Sequence, residues 1–595
     1  TNFTKIINNH TLKFGVLLER AGQNDYDQIN VNGVPGGTDN QNGRFVFLDS
    51  TKTGSLLGIA NAAYGKFDTY AEIGQRSYTP YRGHMFEAFV QDEWRATSKL
   101  KLTYGVRWTV VQPYYSLWNN MAVFDSAYYS ASNAVSINPT TGNPIAGTGD
   151  TYNGVTLLGD GWPDAALGRV SLAGNTDYDY LFRGASRSYS NIDWKNYQPR
   201  LGIAYQISPT SVIRAGGGAY STRLGVSDSI FLGGNPPLQP IASIAAGNVD
   251  NPGGGSSSTF PLSVNTQSKD FPMPKAWNYN FTFEREIGFK TVVGVSYVGR
   301  RGLHGQREKN INQLQIGTLL NTTYNENYFR PYKGYGAIRQ TYNDANSWYH
   351  GFQLDVTRRF SNGLSYGLAY TLSTSKDDGS AQRDVIPDAY DASYIWGYST
   401  FDARHVAVIN FIYEFPWLRN AENKLLRSTL GGWQVTGVTQ FETGTPFTVQ
   451  AATDWAKMGS GSGNNITYFL KYANYGSDPE YPAQFRANSG DKNYYLTVKD
   501  SSGNLLFTAP ANGTMVKDKL RSYFRNPGWQ NWNIGLFKTF KLGENQSVLL
   551  RAEGFNWLNH PNWSSVDSTW TSSTFGMVTS KSSERTVQLS LRYSF

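Results

Sequence analysis

The amino-acid sequence predicts an all-β protein: a large antiparallel transmembrane β-barrel of the outer-membrane type. Three observations carry this prediction. Apolar and polar residues alternate in many segments of strand length, short and long connections follow one another strictly, and aromatic residues make up 15% of the chain. In a membrane barrel such alternation places apolar side chains against lipid and polar ones in the aqueous interior, and aromatic girdles lie at both membrane interfaces.

The C-terminal segment shows the alternation most clearly. Residues 584–595 read ERTVQLSLRYSF, in which every odd-numbered residue from 587 to 595 is apolar or aromatic. Every even-numbered residue from 586 to 594 is polar, so a strand here has one face of each kind. We predict that this is the last barrel strand and that Leu591, Tyr593 and Phe595 serve its assembly into the membrane by the barrel-assembly machinery.

The same pattern recurs at the length that a tilted membrane strand requires, roughly 9–11 residues. In segment 277–287, Trp277, Tyr279 and Phe281 face one way and the asparagines between them face the other. The further predicted strands are 1–7, 10–19, 43–49, 66–74, 85–95, 100–110, 197–206, 211–220, 291–299, 352–357, 363–374, 407–415, 432–442, 529–540 and 547–558. These segments give about 14–17 strands. Because single-chain bacterial barrels have even strand numbers and the full count is odd, we expect the barrel to begin before Thr1.

Short turns and long connections alternate from residue 85 onward. The tight turns are 97–99, 208–210, 288–290, 361–362 and 542–544, and 416–431 is a longer one. The long connections are 111–196, 221–276, 300–347, 375–404, 443–528 and 559–583. Outer-membrane barrels combine short periplasmic turns with long extracellular loops, whereas a soluble propeller repeats every ~40–50 residues. We therefore predict that residues 1–595 form one barrel whose long connections are extracellular loops.

Composition excludes several other classes of protein. The chain has no cysteine, which rules out disulfides, thiolate zinc sites and a cysteine nucleophile. Its apolar runs are far shorter than the ~20 residues of a membrane helix. The net charge of +8 is spread along the chain without a basic cluster, so we predict no nucleic-acid partner. Nothing assembles a nucleophile, a base and an oxyanion site, so we predict that the protein is not an enzyme.

Candidate metal ligands are few. The six histidines are scattered, and none pairs with another at the spacing of a zinc motif, so we predict no metal site built on histidine. One predicted extracellular loop carries an acidic segment, formed by Asp377, Asp378, Asp384, Asp388 and Asp391. Carboxylates of this kind could bind calcium, and the alternative is that the loop is simply solvated. We therefore predict no resident cofactor and keep calcium in this loop as a hypothesis.

Aromatic clusters in two long loops are the candidate ligand contacts. One cluster, in loop 111–196, consists of Tyr114, Tyr115, Trp118, Tyr128 and Tyr129. The other, in loop 300–347, consists of Tyr324, Tyr328, Phe329, Tyr332 and Tyr335. With the asparagines nearby, these rings could stack on sugars or peptides and hydrogen-bond to them. The alternative is that the two loops pack on each other and cap the barrel.

Eight segments resemble the TonB-dependent outer-membrane receptors of the Oar-like type. In chain order they are HTLKFG (10–15), FVQDEWR (89–95), PRLGIAY (199–205), WNYNFTFERE (277–286), YVGRRG (297–302), FDARH (401–405), RNPGWQNWNIGLFK (525–538) and RAEGFNWLNHPN (551–562). The resemblance implies a 22-stranded barrel, an N-terminal plug inside it, and often a carboxypeptidase-regulatory-like domain ahead of the plug. It also implies energy input from TonB through an N-terminal box. We expect the plug, the regulatory-like domain and the box to be absent from residues 1–595.

The function expected from this resemblance is import of an organic ligand, such as an oligosaccharide or a peptide, through a plugged barrel. The expected location is the outer membrane of a Gram-negative-type bacterium. The expected partners are outer-membrane lipid, TonB acting through the missing N-terminal region, the barrel-assembly machinery and the unidentified ligand. Two alternatives remain open: a passive porin-like channel, and a surface barrel with a structural or adhesive role.

Overall fold

A long antiparallel wall dominates the computed structural model, which describes residues 1–25, 44–49, 55–73, 78–225, 232–238, 241–251, 256–257, 262–451, 453–459, 468–475, 495–496, 498–500, 502–582 and 584–595. The main sheet has 19 strands, of which four are short additions and the other 15 form the wall. The wall strands are β1 (Asn2–Ile7), β2 (His10–Asp25), β3 (Thr79–Arg95), β4 (Leu100–Val111), β5 (Tyr197–Ser208), β6 (Ser211–Ser221), β7 (Lys275–Gly288), β8 (Thr291–Asn310), β9 (Tyr335–Ser361), β10 (Leu364–Asp377), β11 (His405–Glu414), β12 (Trp433–Glu442), β13 (Trp529–Lys541), β14 (Ser547–Phe555) and β15 (Thr586–Ser594).

Each wall strand pairs antiparallel with the next one along the chain. Within the described residues, β1 pairs only with β2 and β15 only with β14, so these two strands are the edges of the wall. All the strands predicted from residue 85 onward are wall strands, as are the predicted segments 1–7 and 10–19. The all-β, antiparallel prediction is therefore confirmed, and the strand number lies within the predicted range.

Two predicted wall strands belong elsewhere. Strands Arg44–Val46 and Lys66–Ile73, which fall in the predicted segments 43–49 and 66–74, form a separate four-stranded sheet with Ile241–Asn248 and Ser256–Ser257. The reason is a small aromatic core: the Phe45 ring lies 4.5 Å from Tyr70 and 5.1 Å from Phe67, which is fully buried. The prediction that these segments are strands is confirmed, and the prediction that they are wall strands is wrong. Residues 43 and 74 themselves lie outside the described residues.

The two faces of the wall differ in chemistry. One face exposes apolar side chains, among them Leu18 (78% exposed), Leu589 (73%) and Leu591 (72%). The opposite face carries ion pairs: Lys13 and Lys101 with Glu93, Arg107 with Glu87, Arg214 with Glu284, and Arg551 with Glu553. We call these the apolar face and the polar face. The alternation of the sequence is thus expressed as two surfaces, as predicted.

Tight turns join the wall strands at one end, the turn end, and long connections join them at the other, the loop end. Between β9 and β10 the turn uses Asn362 and Gly363 at φ values of 52° and 76°, the left-handed conformations that two-residue hairpins need. The strands β8 and β9 have 20 and 27 residues, about two and nearly three times the length that crosses a membrane, so their hairpin projects beyond the loop end. Residues 300–310 and 335–347 of one long predicted connection are therefore hairpin.

The projecting hairpin organises its surroundings. Leu262–Gln267 pairs parallel with β9, and Asp384–Val385 pairs parallel with β8. We call these four strands the projecting sheet. The other two short additions to the main sheet are Tyr115–Ser116 and Gly397–Tyr398. Further two-stranded pairs are Ala122–Phe124 with Val155–Leu157, Pro446–Phe447 with Phe524–Arg525, Gln450–Ala451 with Tyr468–Phe469, Lys471–Tyr472 with Phe507–Thr508, and Asn562–Val566 with Val578–Ser582.

Two packed assemblies fill the loop end. Assembly A is built mainly from residues 114–189 and 332–338, with a core that includes Leu157 and Tyr335. Assembly B is built mainly from the described residues between 447 and 524 and from residues 566–578, with a core that includes Phe507 and Phe524. Helical segments are short: Gly58–Ala63, Glu326–Phe329 and Lys424–Thr429 are α-helical, and Ser126–Tyr128, Ala131–Asn133, Asp164–Ala166, Thr176–Leu181 and Leu232–Gly234 are 3-10 turns. Within the described ranges, no helix is long and apolar enough to cross a membrane.

Candidate ligand site at the loop end

Five of the predicted ligand-contacting aromatics lie in or against the core of assembly A: Tyr114, Trp118 and Tyr335 are buried in it, and Tyr129 and Tyr332 pack against it. Tyr129 and Tyr332 lie with ring centroids 5.0 Å apart, and Phe124 lies 4.8 Å from Tyr332 and 5.2 Å from Tyr335. Tyr335 is 1% exposed, and its hydroxyl donates to the carbonyl oxygen of Asn153 at 2.8 Å. These rings join loop 111–196 to loop 300–347. Their geometry therefore matches the alternative in which the two loops pack on each other.

Four aromatics of loop 111–196 each have an arginine over the ring. The pairs, with the distance from guanidinium carbon to ring centroid, are Tyr114 with Arg223 (4.7 Å), Tyr115 with Arg187 (4.8 Å), Trp118 with Arg169 (5.8 Å) and Tyr128 with Arg183 (5.4 Å). A cation at this distance is attracted by the ring quadrupole. One face of each of these rings is thus already in contact within the protein.

The remaining three predicted aromatics form a cluster in which the two tyrosines are exposed. Tyr324 is 49% exposed and Tyr328 is 38% exposed, and their rings lie 5.4 Å apart in an edge-on arrangement. Phe329 lies 5.3 Å from Tyr328 and packs partly against assembly B. Lys333 lies 5.3 Å from the Tyr328 ring, and burial lowers the pKa of its ammonium group. Of the ten predicted aromatics, Tyr324 and Tyr328 present the largest open surface, and their contact with a ligand stays a prediction.

The acidic segment forms ion pairs with basic residues. Arg521 lies 2.9 Å from Asp377, and Lys517 contacts Asp388 at 3.0 Å and Asp391 at 2.6 Å. The hydrogen bond from Lys517 holds the pKa of Asp391 well below its usual range. In the described part of the chain, no group of three or more acidic or histidine side chains is arranged to hold a metal ion. Calcium binding in this loop stays a prediction.

A groove of about 390 Å³ opens on the polar face at the loop end of β6 to β9. Strand register explains its position: Tyr220, Ala276, Gly302 and Ser347 face one another across the four strands, and Asn278 and Arg300 pair in the adjoining row. Small residues in the first row leave the space. A Cβ atom at Gly302 would collide with the Ser347 hydroxyl, so this position accepts no side chain without a shift. We refer to this cavity as the groove.

The groove is positively charged. Lys275 and Arg300 line it, and among its described lining residues none is acidic. Within the described ranges neither cation forms an ion pair. Arg200 lies 4.5 Å from the ring of Tyr220, which also lines the groove, and the Nε atom of Arg200 is buried without a partner. A surface of this charge attracts anionic ligands.

The groove was not among the predicted sites. Its polar residues lie on correctly predicted strands, and the alternation already assigned Asn278 to the face opposite Trp277 and Tyr279. The missing information was register, because only the pairing of β6 to β9 shows that Tyr220 lies in the row next to the one in which Asn278 pairs with Arg300. The signal available in the sequence was an arginine, Arg300, directly after an alternating strand.

Comparisons with known proteins identify a family for the chain and several solved structures that are similar to it. The family model of the outer membrane beta barrel domain matches residues 1–588. Among solved structures, the chain is similar to the FrpB iron transporter from Neisseria meningitidis, with 10% identity, a TM-score of 0.40, and coverage of 100% of this chain and 54% of that one. It is also similar to the ferric-catecholate import receptor Fiu from E. coli K12, with 10% identity, a TM-score of 0.38, and coverage of 100% and 53%.

A third similar structure is the ferripyoverdine receptor of the outer membrane of Pseudomonas aeruginosa, with 9% identity, a TM-score of 0.39, and coverage of 100% of this chain and 47% of that one. The chain thus spans about half the length of the solved structures that it matches. Among curated proteins, none matches the chain.

Proposed function

The chain belongs to the outer membrane beta barrel domain family, and from this premise we propose that it is the barrel portion of a TonB-dependent receptor of the Oar-like type. The protein is an outer-membrane β-barrel of a Gram-negative-type bacterium. Its proposed activity is import of an organic ligand, an oligosaccharide, a peptide or a similar molecule. The groove on the polar face at the loop end carries the proposal, because it is a ligand-sized cavity built into the wall itself.

The orientation of the wall follows from its two faces. In an outer-membrane barrel the apolar face meets lipid, so the polar face with its groove is the inner one. Short turns lie at the periplasmic side of such barrels and long loops outside. We therefore propose that assemblies A and B are extracellular and that a ligand arriving from outside meets them before it reaches the groove. The exposed rings of Tyr324 and Tyr328 are the proposed first contacts.

The C-terminal strand supports the proposed assembly route. Leu591, Tyr593 and Phe595 are 72%, 51% and 91% exposed on the apolar face, and the last two rings stack at 5.6 Å. An exposed aromatic end on an edge strand is accessible to a partner, here the barrel-assembly machinery. Energy coupling is proposed to come from TonB through residues outside this chain, together with a plug that lies against the polar face. We propose neither enzymatic activity nor a resident cofactor, and calcium at Asp377–Asp391 is the metal to test.

The intact mass of the protein from native outer membranes tests this proposal, together with its N-terminal peptides. We expect a mass well above 66.2 kDa, with peptides from a plug and a TonB box. A mature protein of 66.2 kDa that starts at Thr1 would contradict the proposal.

Single-channel conductance in planar bilayers separates the first alternative, because a porin-like channel conducts steadily and a plugged receptor does not. Cross-linking in intact membranes distinguishes the second alternative, a surface barrel with a structural or adhesive role, from a receptor. Ordered arrays joined through assemblies A or B would indicate a structural or adhesive barrel.

A further inference from the structure

A second, smaller cavity adjoins the groove, and the two share Thr222 and Pro274. We call it the inner pocket. Its volume is about 50 Å³, and it lies where the loop ends of β4 and β6 meet the projecting sheet. A single water requires roughly 10–15 Å³ of such space, so the inner pocket accommodates a group of a few heavy atoms and not a whole nutrient molecule. A ligand that uses it must therefore extend into the groove.

Two amide oxygens on the wall of the inner pocket are buried without a hydrogen-bond partner. They are Oε1 of Gln267 and Oδ1 of Asn343, in residues that are 2% and 4% exposed. The orientation of the Asn343 amide is fixed, because its Nδ2 atom donates to the carbonyl oxygen of Pro272 at 2.8 Å. Both residues lie on one face of the projecting sheet: Gln267 pairs with Thr341, which is two residues before Asn343. Buried acceptors normally receive a hydrogen bond within the fold. Two acceptors without one beside the same cavity therefore indicate that a ligand in the cavity donates to them.

Arg223 supplies the complementary chemistry. Its Nη1 atom is anchored to Glu19 at 2.8 Å, and its guanidinium lies 4.7 Å from the centroid of the Tyr114 ring. The side chain of Arg223 is only 11% exposed, and its Nε and Nη2 atoms are buried without a hydrogen-bond partner. The N–H bonds of Nε and Nη2 point in the same direction and form a planar fork, which matches the two oxygens of a carboxylate. The ion pair between Nη1 and Glu19 fixes the orientation of the guanidinium group and therefore of this fork.

We propose that the inner pocket binds a terminal carboxylate together with the N–H group one carbon away, as found at the C-terminus of a peptide. The Arg223 fork holds the carboxylate, and the oxygens of Gln267 and Asn343 accept the N–H hydrogen. Asp193 also lines the inner pocket, is partly exposed, and accepts a hydrogen bond from the backbone N–H of Lys195 at 3.0 Å. The rest of the peptide leaves past Thr222 and Pro274 into the groove, where Lys275 and Arg300 attract further acidic groups. This inference rests on the proposed function and narrows its ligand class.

Binding of two matched peptide libraries to the full chain, purified in detergent from outer membranes, tests the proposal. Both are random hexapeptides of the same composition; one ends in a free carboxylate and the other in a carboxamide. We expect the free-acid library to be retained at least tenfold more strongly than the amide library. Equal retention of the two libraries, or no retention of either, would overturn the proposal.

Variants assign the effect to the inner pocket. Arg223→Gln removes the fork, so the preference for free acids should disappear. Gln267→Glu keeps the size of the side chain and adds a negative charge beside the carboxylate, so it should lower free-acid retention at least fivefold. The matched control is Arg183→Gln: Arg183 also lies over a tyrosine and has a buried Nε without a partner, and it lines neither cavity.

A preference unchanged in both pocket variants would assign the carboxylate to another site and refute the inference. Heat-dependent migration of the barrel in gels verifies that each variant is folded. These outcomes are independent of the proposed transport, because they require neither TonB nor a plug. A porin with this pocket would still prefer free acids, and a plugged receptor without it would show no preference.

Discussion

The wall and the loop-end assemblies bury opposite kinds of side chain. In the wall, Leu18 and Leu589 are 78% and 73% exposed, and charged residues pair on the other face. In assembly A, Leu157 is fully buried, and in assembly B Phe524 is 1% exposed. One chain therefore follows two rules, because lipid surrounds the wall and water surrounds the loops. The difference shows that the aromatic residues of this sequence serve two purposes, since some are exposed on the apolar face of the wall and others are buried in the cores of the loops.

Truncation of a buried loop side chain should have the largest effect. Leu157→Ala removes a fully buried side chain from assembly A, and such cavities cost about 2–5 kcal/mol. Because assembly A has its own core, we expect the loops to become sensitive to protease while the wall keeps its heat-dependent migration. Leu167→Ala is the matched control, since Leu167 lies in the same loop and is 53% exposed. If the wall unfolds together with the loops, the two regions are one cooperative unit and the comparison fails.

A charge on the apolar face tests the wall. Leu589→Arg places a cation in lipid near the middle of β15, which costs about 2–4 kcal/mol in a membrane barrel. Gln588→Arg, one residue away, places the same cation on the polar face opposite Glu553 and should be nearly neutral. Urea unfolding in lipid vesicles measures both. Equal destabilisation by the two variants would mean that the faces are assigned wrongly.

Alkaline titration separates the two regions by pH. Burial raises the pKa of Tyr152 in assembly A to about 12, from an ordinary value of 10.0. A raised pKa in the folded state means that the stabilisation is present below pH 10 and is lost as the pH rises towards 12. We therefore expect assembly A to open in this interval, as followed by tyrosinate absorbance and protease sensitivity. Tyr152→Phe keeps the ring and should shift the opening to higher pH. An unchanged opening in this variant would exclude Tyr152 as its cause.

The sequence predicted the wall well because the membrane imposes a simple rule. A strand between lipid and water must alternate, so segments such as 407–415 and 529–540 could be identified without knowledge of their neighbours. The same rule failed for 66–74, because the small aromatic core around Phe67 also requires a strand with one apolar face. Alternation identifies a two-faced strand and does not identify what covers its apolar face.

The candidate sites were harder to predict, for two physical reasons. The groove depends on which residues meet across four strands, and register is set by pairing over the whole sheet. The inner pocket depends on amide oxygens left without donors, and a sequence shows no hydrogen bonds. Tyr332 and Tyr335 illustrate the reverse difficulty: loop tyrosines suit a ligand or a core equally well, and tertiary packing placed these in a core.

The smallest expected effect concerns the boundary between the two regions, where the projecting sheet leaves the wall. Gln267→Met removes a buried acceptor that has no partner while keeping the volume of the side chain, so stability should stay unchanged or rise by up to about 1 kcal/mol. The control is Thr341→Val at the neighbouring position across the sheet, which removes a hydroxyl that donates to Glu308 at 3.3 Å. Because a hydrogen bond to a charged group contributes about 1.5–3 kcal/mol, this variant should lose stability of that order. Thermal unfolding in detergent measures both variants. Loss of stability in Gln267→Met as large as in Thr341→Val would show that the fold itself uses this oxygen. A neutral result means that the fold does not depend on this oxygen. A stabilising result means that the oxygen is kept at a cost to the fold, as expected where a protein retains a polar atom for a ligand.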